Sequence, residues 1–460
     1  MGAEVQLTLA HWLYLIFVIA VVVTMFLRKD TPLICIIGAL AVGWAVTGSF
    51  LGGIQSVFNA IVVAAIELMG IVVVISLMVA LSKQMETSGA AAVLIRTLGR
   101  PIKGPKSAFW LVGIITAILA YFIWPTPAVA LLGSLLVPVA VSAGLSPLVA
   151  GISIAMFAYG IALTTDFVIQ GAPTLVAKAA GLGVGEVMTA MVPLIIVWAL
   201  IAIPISYFMS MKLNRGYDPK KDMEIFGSSV VNSKSSEHSS FAKTEAVVVA
   251  LAFLLDIILM LVFELRGGDA TALLGGTAAL LLLVFSILQH KGEALEIGVD
   301  YLREGFMFGM KIFTPVFIIA ALFYMGGGQS TAIFGDAGKP LLFDLSNALA
   351  AKVPLNRFAV GPMQALVGAV TGLDGSGFSG LPLVGTLAGG LSVIAKVKAS
   401  VLAALGQLTA VNTGGGTIVP WALIAVAAVT KTKPEEIARR NFIPVILGFV
   451  GATIAAIILM

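Results

Sequence analysis

Two carboxylates interrupt otherwise apolar sequence. Asp374 lies in TGLDGSGFSGLPLVGTLAGG (residues 371–390), and Asp166 follows Thr164 and Thr165 just before Gln170-Gly171-Ala172-Pro173. A third polar cluster, NTGGGTIVP, occupies residues 412–420. Hard cations take oxygen ligands from carboxylates, hydroxyls and unwound carbonyls. Asp166, Asp374, Ser376 and Asn412 are therefore candidate Na⁺ ligands, with Thr164, Thr165, Ser379 and Thr413 beside them. A carboxylate at such a place equally suits a proton as the ion carried. Anions need fewer side chains: helix N-termini offer amides and a partial positive charge, and glycine permits close approach. The segments Gly375–Gly380, with Gly377, and Gly414–Thr417, with Gly415, are the candidates for that role. A helix cap is the competing reading of Asp374, since Asp is a common N-cap.

Other ionisable residues stand inside apolar runs. Glu67 lies in IVVAAIELMGIVVV, Asp256 in LAFLLDIILMLVF and Lys311 in FMFGMKIFTPVF. Each reads equally as a relay or as half of a buried pair, with Lys311 a partner charge for the acids. Lys178, just past the first break, either faces an anion or snorkels to an interface. Lys396 and Lys398 read as an interfacial loop. Soluble-enzyme signatures are missing: no GxxxxGK[ST], HExxH or CxxC occurs, and His11, His238 and His290 are far apart. A lone cysteine, Cys35, excludes an internal disulfide framework. The expectation is a protein that is not an enzyme, carries no cofactor and has no nucleic-acid partner.

The elements that must hold these residues are membrane helices. Hydrophobic residues form 59% of the 460-residue chain and charged residues 11%, and mean hydropathy is +1.08. That composition predicts an all-α polytopic membrane protein. Apolar runs at residues 12–27, 32–50 and 61–81 are followed by a basic segment, 83–106. Positive charge marks the cytoplasmic side, which places the amino terminus outside. Residues 12–27 have their positive charges after them and no small-residue cleavage site, as a retained helix would. Two short runs, 108–123 and 128–142, flank Trp124-Pro125-Thr126-Pro127 and predict a re-entrant hairpin with Thr126 at its tip. The run from Pro147 to Leu163, broken around Asp166 and resuming at Thr174, predicts a discontinuous helix.

The plan then repeats. A basic, serine-rich stretch (residues 214–244) separates a first membrane repeat, 1–213, from a second, 245–460. Shifting the halves by roughly 250 residues aligns the two hairpin tips and sets Thr164 near Gly416. Each half makes an odd number of crossings, about five, so the halves run in opposite directions. That arrangement puts Lys431, Lys433, Arg439 and Arg440 inside with the linker, and both termini outside, as the positive-inside rule asks.

Two inverted halves, each with a hairpin followed by a discontinuous helix, resemble the ion-transporter superfamily of bacterial permeases. That group includes the gluconate, C4-dicarboxylate, lactate, citrate and divalent-anion symporters. The resemblance spans nearly the whole chain as an order of breaks. It implies an inner-membrane secondary transporter that takes a small organic anion, a carboxylate by class, with Na⁺ or H⁺, and it implies a homodimer. In the divalent-anion symporters, Ser-Asn-Thr tips hold sodium and carboxylate. The matching tips here are Pro125-Thr126-Pro127 and Asp374-Gly375-Ser376-Gly377, which leaves the coupling ion open. The fold also hosts cation/proton antiporters, for which Asp166 and Asp374 would be the exchange carboxylates. A channel or membrane-embedded enzyme is the third reading.

Overall fold

Several helices begin at a capping side chain or a proline, and several end at a glycine. The computed structural model describes residues 7–26, 29–99, 101–220, 222, 239–327, 329–350, 355–375 and 377–460. Among them every regular element is helical. In the first half, α1 (Leu9–Phe26) and α2 (Pro32–Thr47) precede a 39-residue α3 (Phe50–Ser88). Ser49 caps α3 by accepting from the Gly52 N–H at 2.9 Å, and Gly89 ends it in the left-handed region. A short α4 (Ala90–Gly99) leads into α5 (Pro105–Ile123) and α6 (Pro125–Ser142), which meet at Trp124. Then come α7 (Pro147–Ile154), continuing as a π-helix over Ala155–Leu163, α8 (Gly171–Ala180) and α9 (Val184–Leu213).

The second half follows the same order. Its first three helices are α10 (Ser240–Val262), α11 (Gly268–His290) and the 33-residue α12 (Ala294–Gly326). Two short helices, α13 (Ser330–Phe334) and α14 (Leu341–Ala350), take the place of α4. A helix pair follows, α15 (Arg357–Thr371) and α16 (Leu381–Ala395). Next is a broken helix: α17 (Ala399–Asn412), a π-turn over Thr413–Thr417, and α18 (Ile424–Thr430). The final helix is α19 (Pro434–Leu459).

Three boundaries differ from those read in the sequence. The second arm of the first hairpin begins at Pro125, not residue 128, because proline is well suited to the first helical position. The half-helix after the first break begins at Gly171, not Thr174, with Pro173 inside its first turn. The third run of each half is much longer than its apolar core. At 1.5 Å per residue α3 extends about 58 Å and α12 about 50 Å, against a hydrocarbon core of about 30 Å. Their ends carry polar residues such as Gln55, Lys83, Glu296 and Arg303, which hide helix from a hydropathy reading.

Two groups of helices emerge from the packing. In one, α3 packs on α12, α2 and α11. Ala80 and Ser76 of α3 lie against Gly305 of α12, and Ser76 and Val72 against Gly309, so the two helices run antiparallel. Without a hydrophobic force between helices in lipid, such small residues let backbones approach closely. In the other group, α16 packs on α8 and α6 on α18, so each hairpin's second arm rests on the half-helix of the opposite half. Among the described residues, six helical stretches are long and apolar enough to cross a membrane. Outward faces are apolar too: Val247, Leu251, Leu254, Leu255, Ile258 and Leu261 of α10 are all exposed. The chain is an all-helical polytopic membrane protein.

Candidate functional site

Each first hairpin arm positions its neighbouring broken helix. The Ser153 hydroxyl donates to the Phe109 carbonyl at 2.6 Å, and Tyr121 and Thr165 share a hydroxyl–hydroxyl bond at 2.8 Å. These pairs align α5 in parallel with α7 and its π-continuation. In the second half, Gly368 of α15 sits against Thr409, and Gly372 against Thr413 and Gly414, in the same parallel sense. Broken helical backbone leaves N–H and C=O groups that need partners, and both breaks show how these are supplied.

At the first break, Asp166 and Gln170 both adopt positive φ (45° and 62°), a strained conformation for non-glycine residues. The buried Asp166 carboxylate accepts from the Ala172 N–H at 2.8 Å and so caps α8. Gln170 accepts from the Gly267 N–H at 2.7 Å, tying the break to the turn between α10 and α11. The Thr164 hydroxyl donates to the Tyr159 carbonyl at 2.9 Å, and Thr165 to Ile161 at 3.0 Å. Both hydroxyls therefore serve the wide turns of the π-helix. The cap role weighed for Asp374 is thus found at Asp166.

The second break crosses the first. Asn412 donates its side-chain N–H to the Gly160 carbonyl at 2.8 Å, and Gln407 donates to the Thr164 carbonyl at 2.9 Å. A carbonyl can only accept, so both amides are fixed in orientation and their oxygens point away. Those oxygens, Asn412 Oδ1 and Gln407 Oε1, are buried without a hydrogen-bond partner, as are Thr413 Oγ1 and Tyr159 Oη. Gly416, at φ 133°, lets the chain pass the Tyr159 ring, which a Cβ there would meet at 2.9 Å. The Thr417 hydroxyl closes the π-turn on the Asn412 carbonyl, and Asn441 of α19 donates to the Thr417 carbonyl at 3.0 Å.

Both hairpin tips close on this crossing. Gly377, at φ 69°, lies against Gly415 and Val411, and Gly414 against Gly372 and Gly377; a Cβ on Gly415 would meet Leu163 at 2.7 Å. Trp124, between α5 and α6 at φ 75°, packs in a tilted contact against Phe378 of the opposite tip, with ring centroids 5.1 Å apart. Phe378 in turn meets Phe313 of α12 at 6.2 Å. Thr126 is exposed at its tip, with the Tyr159 hydroxyl as a polar neighbour that is not in hydrogen-bonding geometry.

Of the residues expected from sequence, Thr164, Asn412, Thr413, Gly414, Gly415 and Gly377 converge at the crossing. Thr165 sits just past the end of the π-helix, and Asp166 lies beyond it in the break, capping α8. Ser379 is buried, and Gly375 holds φ 86° in the tip. The Asp374 side chain and Ser376 lie outside the described residues, so two of the four proposed Na⁺ ligands do too. Among the described residues no cluster of three His, Cys, Asp or Glu could hold a metal; the oxygens at the crossing are uncharged. Sequence reading missed Tyr159, Gly160, Gln407 and Asn441. Gln407, alone in ASVLAALGQLTAVN, was the available signal. Lys311 is exposed on α12, and the partner of Glu67 is Lys178 instead, at 2.6 Å. Asp256 accepts from Thr277 of α11 at 3.0 Å.

No family model matches the sequence. The chain is 37% identical over 466 aligned residues to the uncharacterized membrane protein YhfA of Bacillus subtilis (strain 168). The match covers 99% of this chain and 100% of that protein.

Proposed function

The chain belongs to the family of the Bacillus subtilis membrane protein YhfA, and from that premise we propose that it is a secondary active transporter. It moves a small organic anion, a carboxylate by class, in symport with Na⁺ or H⁺. The observation that carries the proposal is the crossing of two broken helices with four buried polar oxygens left unpartnered: Tyr159, Gln407, Asn412 and Thr413. Leaving such groups unsatisfied is costly, and a bound ion or polar ligand offsets that cost. Their neutral oxygen chemistry fits a monovalent cation, and the nearby glycine amides fit a carboxylate.

In this proposal residues 1–213 and 245–460 are inverted repeats, residues 214–244 are a cytoplasmic linker, and both hairpins are re-entrant. The recurring element order and the antiparallel α3–α12 contact support this arrangement. The protein then lies in the cell's inner membrane with both termini outside, as a homodimer. A cation/proton antiporter would exchange its ions on Asp166 and Asp374; the engagement of Asp166 as a helix cap favours symport. The test is uptake of labelled citrate, succinate, gluconate and lactate into proteoliposomes under separate Na⁺ and pH gradients. Accumulation of one of them, driven by either gradient, is expected. Gradient-driven cation exchange without anion uptake would replace symport with antiport.

A further inference from the structure

Glu67 stands near the middle of α3, where an ionised side chain is expensive unless it is paired. Its partner is Lys178 on α8: the ammonium lies 2.6 Å from Glu67 Oε2 and 2.8 Å from the Glu67 main-chain carbonyl. The side chains are 36% and 32% exposed, so the pair is only partly buried and not in closed core. It also joins two separate groups of helices, since α8 packs on α16, α17 and α9 while α3 packs on α12, α2 and α11. Among the described residues no other ion pair links α3 to a broken helix.

The pair adjoins the first break. Ile71, one turn of α3 beyond Glu67, lies against Gly171, where a Cβ would also meet Asp166 Oδ2 at 3.1 Å. Glu67, which holds the Lys178 ammonium, is therefore about one helical turn, roughly 6 Å along α3, from the level of the Asp166 cap. Two further polar groups are near the pair. Tyr324 of α12 is fully buried, its hydroxyl has no partner, and it lies within electrostatic reach of Glu67. Gln329 approaches the Lys178 carbonyl at 3.5 Å, and its own side-chain oxygen is unpartnered.

We propose that Lys178 selects the transported anion: its ammonium takes a carboxylate of the substrate, and Glu67 fills that place while no anion is bound. The inference rests on the organic-anion reading above. An ammonium is a compact point charge with three donors. Two of the donors are taken by Glu67, which leaves the third for an incoming carboxylate. Glu67 keeps the cation compensated at membrane depth in the empty protein, and it competes with the substrate for the same donor. The exchange of one carboxylate for the other frees α8 from α3.

This assignment predicts opposite effects for the two halves of the pair. Equilibrium binding of labelled citrate, succinate and lactate to the purified full-length protein reads them directly. Lys178→Met should weaken binding of the recognised anion on the order of tenfold or more, because a charged partner is lost. Glu67→Gln should tighten it by roughly threefold or more, because the competing carboxylate is gone and more of the protein is competent to bind. Lys178→Arg should retain most of the affinity. If Lys178→Met does not fold, the double variant Glu67→Gln/Lys178→Met leaves no charge unpaired and should bind as weakly. A merely structural ion pair would move both single variants in the same direction, or neither, and that result overturns the proposal. Wild-type affinity in Lys178→Met overturns it while leaving the anion reading intact. Failure of the wild type to bind any of the three probes counts against both.

Discussion

Asp166 serves the backbone through the carboxylate that sequence reading assigned to an ion. Its oxygen accepts from the Ala172 N–H at 2.8 Å and so anchors the first turn of α8. Asn caps about as well as Asp, whereas Ala costs about 1 kcal/mol. Asp166→Asn should therefore melt close to the wild type, and Asp166→Ala about one degree lower. Only the charge is lost in Asp166→Asn, so a drop in gradient-driven uptake in that variant isolates the electrostatic role. Wild-type uptake with wild-type ion dependence would reduce Asp166 to a cap. Polar residues inside apolar runs, such as Thr164 and Asn412, were legible because nothing else explains them there. Tyr159 was not, since an aromatic ring in AMFAYGIAL reads as core until its hydroxyl is seen to be unpartnered. The Glu67–Lys178 pair was hidden for another reason: its members are 111 residues apart, and Lys311, inside an apolar run as Glu67 is, offered itself as the match.

At the scale of elements, breaks were easier to read than lengths. Proline and glycine punctuate the chain sharply, so both hairpin tips and both helix interruptions were found within a few residues. What hydropathy could not convey was how far α3 and α12 continue beyond their apolar centres. These helices meet through Gly305 and Gly309, one turn apart, against Ser76 and its neighbours. A Cβ on Gly305 would run into the Ser76 carbonyl oxygen and approach Ala80 at 3.1 Å. Backbone cannot step aside as a side-chain end can, so Gly305→Leu should destabilise by about 1–3 kcal/mol, the usual cost of overpacking. Thermal melting of the purified protein checks it, with exposed Gly276→Leu on α11 as the control expected to change little. Equal melting of the two variants would mean that the α3–α12 contact is not tight.

For the whole molecule, the proposal of opposed halves makes a claim about sides. Cysteines placed at Lys220 and at Asp269, each in a Cys35→Ser background, sample the linker and the first turn of α11. An impermeant maleimide applied to right-side-out vesicles should label Asp269→Cys and spare Lys220→Cys. The reverse pattern would turn the molecule over, and labelling of both from outside would end the inverted arrangement. Cargo is a separate matter from topology, because one fold supports many substrates. The account stands or falls on whether the crossing of the two broken helices handles an anion together with an ion. The most direct measurement is uptake of labelled carboxylates into proteoliposomes of the wild type and of Thr413→Val, run in parallel under imposed Na⁺ and pH gradients. Thr413→Val removes one unpartnered buried oxygen while keeping the shape of the side chain. The account predicts gradient-driven accumulation of at least one carboxylate by the wild type, and a variant that folds normally yet accumulates on the order of tenfold less or requires more coupling ion. Uptake that is absent in the wild type, independent of both gradients, or identical in Thr413→Val would contradict it.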